Sequence, residues 1–244
     1  MKISGNTSVG EVVRFNLKTA LLLNEYNIDY CCGGSKTIFE ACSEAGIDAD
    51  TLIIKLEKLS ENNDPDTEYI NSLVPDELSD YIERRHHSYV KNHIPFLRQS
   101  LDKICDVHGS RHPELLEIRE LFRGSAADLT THMQKEEIIL FPYIRKMVRV
   151  SKDGSQVGRP DFGSVSNPVS MMLAEHENEG RRFDRISELS QNFSIPEDAC
   201  TTYRATLDQL KEFRDDLHRH IHLENNILFP EAIRLEKELT GKLL

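Results

Sequence analysis

His132-Met133-Gln134-Lys135-Glu136-Glu137-Ile138-Ile139-Leu140-Phe141-Pro142 returns 88 residues later as His220-Ile221-His222-Leu223-Glu224-Asn225-Asn226-Ile227-Leu228-Phe229-Pro230. Each run carries a histidine, a glutamate four residues on, and a Leu-Phe-Pro tail at the same offset. A lone His-x3-Glu carries little weight, but the shared tail marks an internal repeat. On a helix, residues four apart share a face, with Cβ atoms about 5–6 Å apart.

The flanking residues say which face that is. Leu210, Phe213, Leu217, His220, Glu224 and Ile227 step by three and four, the spacing of a buried stripe. Ile118, Phe122, Ser125, Leu129, His132, Glu136 and Ile139 do the same. The histidine and glutamate therefore stand where a core hydrophobe is expected. An ionised glutamate there is costly unless it is paired or coordinates a metal.

Two more histidines occupy comparable stripes: His87 with Val90, Ile94, Leu97, Leu101 and Ile104, and His176 with Val169, Met172, Phe183 and Ile186. The chain reads as two half-bundles, each supplying one histidine and then a His-x3-Glu. A single stripe histidine is more often a hydrogen-bonded core residue; four at matching positions with two glutamates point to metal ligation. Six ligands exceed one tetrahedral ion and suit two ions bridged by Glu136 and Glu224. Imidazole with carboxylate favours iron, with manganese and zinc as alternatives.

The other six histidines, His86, His93, His108, His112, His218 and His222, are read as surface residues. His218 and His222 lie about 160° around the helix from His220. Glu83 and Glu175 are candidates to accept from the second ring nitrogen of a ligand, or are ordinary exposed helix charges.

Helical patterning extends over 76–105, 113–149, 167–192 and 197–240, broken at Asp106–Gly109 with Pro113, at Ser151–Pro168 and at Ser194-Ile195-Pro196. Four such segments predict an antiparallel bundle over 70–244. Before it, residues 1–62 predict a small helical module. Ser8-Val9-Gly10-Glu11 has capping-box form. Cys31-Cys32-Gly33-Gly34 makes a turn whose glycines permit positive φ and close backbone approach. Helices are expected over Lys36–Ala45, stopped by Gly46, and over Ile47–Leu59. The polar run around Pro65 predicts a linker over 61–75, with the module either packed on the bundle or swinging free. The fold class is all-α.

Composition narrows the functions. The 244 residues carry a formal net charge of -11, which argues against a nucleic-acid binder and against docking on an anionic membrane. No apolar stretch has the length of a signal peptide or a membrane span. Five cysteines with one vicinal pair do not make a disulfide framework, so a reducing cytoplasm is expected. Cys31 and Cys32 are read either as functional thiols, for redox chemistry, capture of an iron–sulfur or nitrosyl species, or iron transfer, or as small buried hydrophobes. Cys42, Cys105 and Cys200 are read as packing or incidental thiols.

Asp29-Tyr30-Cys31-Cys32-Gly33-Gly34, taken with the two Leu-Phe-Pro runs, closely resembles the bacterial repair-of-iron-centres family. These are di-iron proteins linked to iron–sulfur cluster repair after nitric oxide or peroxide stress. They join a Cys-Cys-Gly-Gly module to a hemerythrin-like four-helix bundle. The resemblance covers nearly the whole chain and implies two iron ions held by His87, His132, Glu136, His176, His220 and Glu224. His87 is preferred to His86 because it stands eight residues before Pro95. The resemblance also favours Cys31 and Cys32 as functional. It implies nitric oxide or oxygen species as small ligands and damaged iron–sulfur proteins as clients, and leaves iron donation or nitric oxide reduction, and a homo-oligomer, open. The alternatives are a hemerythrin-like oxygen or nitric oxide sensor, and a dimetal hydrolase or ferritin-like oxidase. Ferritin-type sites, however, are carboxylate-rich with Glu-x-x-His.

Overall fold

The computed structural model describes residues 2–61, 64–155, 158 and 160–241, so the expected module end at 62 lies outside the described residues. Among these the chain is all-α, with a single isolated bridge between Ser8 and Thr37.

Four short helices open the chain: α1 (Val9–Phe15), α2 (Thr19–Glu25), α3 (Ile38–Ala45) and α4 (Ala49–Ser60). Ser8 with Glu11, and Thr37 with Glu40, form reciprocal capping boxes. Gly46 ends α3 in the left-handed region at φ 67°. Helices this short are marginal alone; they are held by burying Val9, Val12, Val13, Leu23, Ile38, Leu52 and Leu56 together.

The expected linker contains a fifth helix, α5 (Pro65–Ser72). Proline starts it rather than breaking it, because the first helical position needs no N–H partner. Asp64 caps α5 and meets Lys18 at 3.3 Å, while Thr67 Oγ1 accepts from Leu17 N at 2.9 Å. This stretch is therefore fastened to the N-terminal helices.

The bundle comprises α6 (Pro75–Ile82) running into α7 (Ser88–His108), α8 (Glu114–Lys135) into α9 (Phe141–Asp153), α10 (Ser166–Leu189), and α11 (Thr201–Leu223) into α12 (Phe229–Gly241). Helix α7 packs on α8 and α11, and α10 packs on α8 and α11, closing a four-helix ring. In its interior Phe183 stacks on Phe213, and Phe122 meets Phe213 edge-on.

Three of these runs contain a π-turn, at Glu83–His87, Glu136–Leu140 and Glu224–Leu228. The last two explain the repeated Leu-Phe-Pro tail. Pro142 has no N–H for the Ile138 carbonyl and its ring would crowd that oxygen. The helix slips by one residue instead: Phe141 N–H donates to the Glu136 carbonyl, as Phe229 N–H does to that of Glu224. Each slip re-phases the following helix by about 100°.

The N-terminal helices lie on the bundle: α1 contacts the Glu224–Leu228 turn and α2 contacts α11. Among the described residues no helix is long and apolar enough to cross a membrane.

Candidate metal centre

The stripes converge as their phase requires. His87, Glu136, His220 and Glu224 form one buried group with ligand atoms within 4.8 Å of one another, and His132, Glu136, His176 and Glu224 form a second. Both carboxylates belong to both groups. Glu136 and Glu224 are fully buried, each at the first residue of a π-turn.

Hydrogen bonds on the outer side of three of the four rings set what faces inward. His87 Nδ1 meets Glu137 at 2.8 Å, His132 Nδ1 meets Glu175 at 2.9 Å, and His176 Nδ1 meets Asn225 Oδ1 at 2.7 Å. Such partners hold a proton on Nδ1 and turn Nε2 inward. The inward nitrogens face one another and the carboxylates. His87 Nε2 lies 3.3 Å from Glu136 Oε2, His132 Nε2 3.0 Å from His176 Nε2, and His176 Nε2 3.2 Å from Glu224 Oε2. His87 Nε2, both Glu136 oxygens and Glu224 Oε2 are buried without a hydrogen-bond partner, and His220 turns its Nε2 to Glu224 Oε1 at 3.1 Å. Imidazole nitrogens and carboxylates aimed at one another in a dry interior need a proton or a metal ion between them, so the donor set fits a metal.

The titration pattern has the same cause. Burial works against charge on His132, but Glu136 and Glu175 overcome it and raise its pKa to about 10. Burial would raise Glu224, yet His220 and His176 hold it well below the ordinary carboxylate range. Glu175 is lowered to about 2, first by its bond to His132 and despite partial burial.

A cleft of about 290 Å³ lined by Asp128, Lys135, Glu175, His132, His176 and Asn178 leads from the surface to one side of the centre.

Several expectations need correction. Glu175 does back His132, but Glu83 backs neither histidine: it pairs with Arg145 at 2.7 Å, and the carboxylate behind His87 is Glu137. His86 is buried rather than exposed, bonded to Asp216 at 3.1 Å, its ring parallel to that of His220. His218 and His222 are buried too, because Tyr30 of the N-terminal module inserts edge-on between them. His108 is buried against Cys200 at 3.2 Å. The helix face opposite the centre is thus covered by protein, which periodicity within one helix cannot reveal.

The vicinal cysteines sit at this junction. Asp29 makes their turn: its carboxylate accepts from the N–H groups of Cys31 and Cys32 at 2.9 Å and of Gly33 at 2.8 Å. Neither Gly33 nor Gly34 has positive φ. Gly34 is required for close approach, since a Cβ there would lie 2.4 Å from Asn226 Oδ1. Cys31 is buried and Cys32 half-buried. The bond to Cys32, and then burial, raise the Cys31 thiol pKa well above its ordinary value. Asn225 and Asn226 both donate to the Cys31 carbonyl, at 3.2 and 3.1 Å. The sequence reading missed both asparagines, although they stand inside the quoted repeat.

Known proteins with this arrangement can now be set beside it. Residues 79–232 match the Hemerythrin HHE cation binding domain, and residues 5–60 match ScdA_N, described as a domain of unknown function (DUF542). The iron–sulfur cluster repair protein YtfE of Dickeya chrysanthemi is 34% identical over 229 residues, 94% of this chain and 97% of that protein. The protein of the same name from Yersinia pestis is 33% identical over 231 residues, covering 95% and 98%. The chain belongs to the iron–sulfur cluster repair family, with a hemerythrin-like cation-binding bundle behind an N-terminal ScdA_N module.

Proposed function

We propose that this protein restores iron–sulfur clusters damaged by nitrosative or oxidative stress, using two non-haem iron ions held in its bundle. The observation that carries the reading is that two four-residue groups share Glu136 and Glu224. His87 and His220 would hold one ion, His132 and His176 the other, and the two carboxylates would bridge them. Bound iron would supply ferrous ions for delivery and open positions for nitric oxide or an oxygen species.

The chain's own residues do the rest. Glu137, Glu175 and Asn225 orient three imidazoles. Lys91 and Lys135 pair with the first two of those acceptors, tethering the ligands to the bundle surface. The cleft beside His132 and His176 gives a small ligand its path. Cys32, the more exposed thiol, would meet a damaged client or the transferred species, with buried Cys31 behind it. Residues 1–62 would act as a client-facing module on the metal-holding bundle of 70–244, in the cytoplasm.

The test is metal analysis of the purified chain together with repair of a nitrosylated iron–sulfur dehydratase in vitro. Two irons per chain and recovered dehydratase activity, reduced in Cys31→Ser/Cys32→Ser, are expected. One iron or none removes the two-ion reading, and no recovery with a loaded chain removes the repair reading.

A further inference from the structure

Among the described residues, one more group of ligand-type atoms converges outside the bundle centre: Asp29, Cys31 and Cys32, again within 4.8 Å of one another. Cys31 Sγ lies 3.8 Å from Cys32 Sγ and 3.2 Å from Asp29 Oδ1. A tetrahedral ion with bonds of about 2.3 Å to sulfur and 2.0 Å to oxygen holds two sulfurs about 3.8 Å apart and a sulfur and oxygen about 3.5 Å apart. The two measured edges match that figure to within a few tenths of an ångström.

The group is also preorganised. Three backbone N–H groups fix the Asp29 carboxylate, so its place beside the thiols does not depend on a bound ion. It opens into a cleft of about 200 Å³ between the N-terminal module, α10 and α11, lined also by Asn24, Glu177, Arg181, Asp184, Arg214 and His218. Burial and the charge of Asp29 push the Asp184 carboxyl up, against the Arg214 guanidinium, which lowers it.

We propose that Asp29, Cys31 and Cys32 form a second, exchangeable site for a thiophilic divalent metal ion, distinct from the bundle centre and open to the cleft. Two thiolates with one carboxylate select a soft or borderline ion such as ferrous iron or zinc over magnesium or calcium. Binding exchanges the two thiol protons, released to solvent, for the ion. Three protein ligands leave one tetrahedral position facing the cleft, as in sites that pass on what they hold rather than in closed structural sites. The link to the centre is short, because Asn225 joins the Cys31 carbonyl to His176. The inference rests on the iron-handling reading above and gives the vicinal cysteines their ligand.

The test uses the full chain, bundle loaded with iron and thiols reduced, titrated with cobalt(II) without oxygen. One further equivalent should bind with a thiolate-to-cobalt absorption band while bundle iron stays constant. Cys31→Ser and Cys32→Ser should each abolish the band and keep the bundle iron. Asp29→Asn should weaken cobalt binding about tenfold, with circular dichroism checking that the fold persists. No band in the native chain, or an unchanged band in Cys32→Ser, overturns the site. Unchanged affinity in Asp29→Asn overturns the three-ligand assignment. A chain showing the band but lacking bundle iron would keep this site and sink the two-ion reading; the reverse would sink this site alone.

Discussion

Asn225 Oδ1 accepts the Nδ1 proton of His176 at 2.7 Å, and the same amide donates to the Cys31 carbonyl at 3.2 Å. One side chain therefore orients a candidate metal ligand and anchors the vicinal-cysteine turn. Asn225→Leu should remove the His176 acceptor and lower metal affinity about 10–100-fold. It should also speed alkylation of Cys31 and Cys32. Chelator competition and thiol-modification rates measure the two effects, and a change in neither would deny the coupling.

Glu136 stands in both ligand groups, whereas His87 stands in one. Glu136→Ala is therefore expected to lose both ions, and His87→Ala chiefly the ion shared with His220. Metal content per chain distinguishes them. Two ions retained in Glu136→Ala would rule out a bridging role.

Gly34 carries no side chain because a Cβ would meet Asn226 Oδ1 at 2.4 Å and the Tyr30 carbonyl at 2.8 Å. Gly34→Ala should push the cysteine turn off the bundle and destabilise the chain by about 1–3 kcal/mol. Faster amide exchange at residues 30–34, with bundle helicity intact, is the expected signature.

His112 sits between Asp198 at 2.9 Å and Glu114 at 3.0 Å, tying the start of α8 to the connection before α11. Burial would lower its pKa, but the two carboxylates outweigh burial and raise it. A raised value in the folded state means that the contribution is complete below the unfolded value of about 6.5. It is lost as pH rises through the folded value. Amide exchange around Asp198 should accelerate across that interval in the native chain. Beyond the intrinsic rise of amide exchange with pH, His112→Gln should show no such acceleration; equal profiles would sink the assignment.

The two His-x3-Glu runs announced a polar pair on a core face, because stripe spacing states which side of a helix is buried. The same spacing misjudged His86, His218 and His222. Periodicity divides a helix into two faces and assigns the second to water. Here that second face is covered by Tyr30 and by contacts between helices. The π-turns also escaped notice. Pro142 and Pro230, which follow two of them, mark a repeat in the sequence, while their backbone consequence depends on how the helix relieves a missing N–H.

The sequence by itself determined an all-α chain, two equivalent halves, and six side chains turned toward one axis, because periodicity and composition are properties of single segments. Only the tertiary structure decided which of them meet. His87 of the first half faces His220 of the second, and His132 faces His176, with Glu136 and Glu224 in both groups. It also decided that the cysteine turn docks beside His176 through Asn225. Helical phase assigns a residue to a face, but which face lies opposite is settled by the packing of separate helices and by turns that re-phase them.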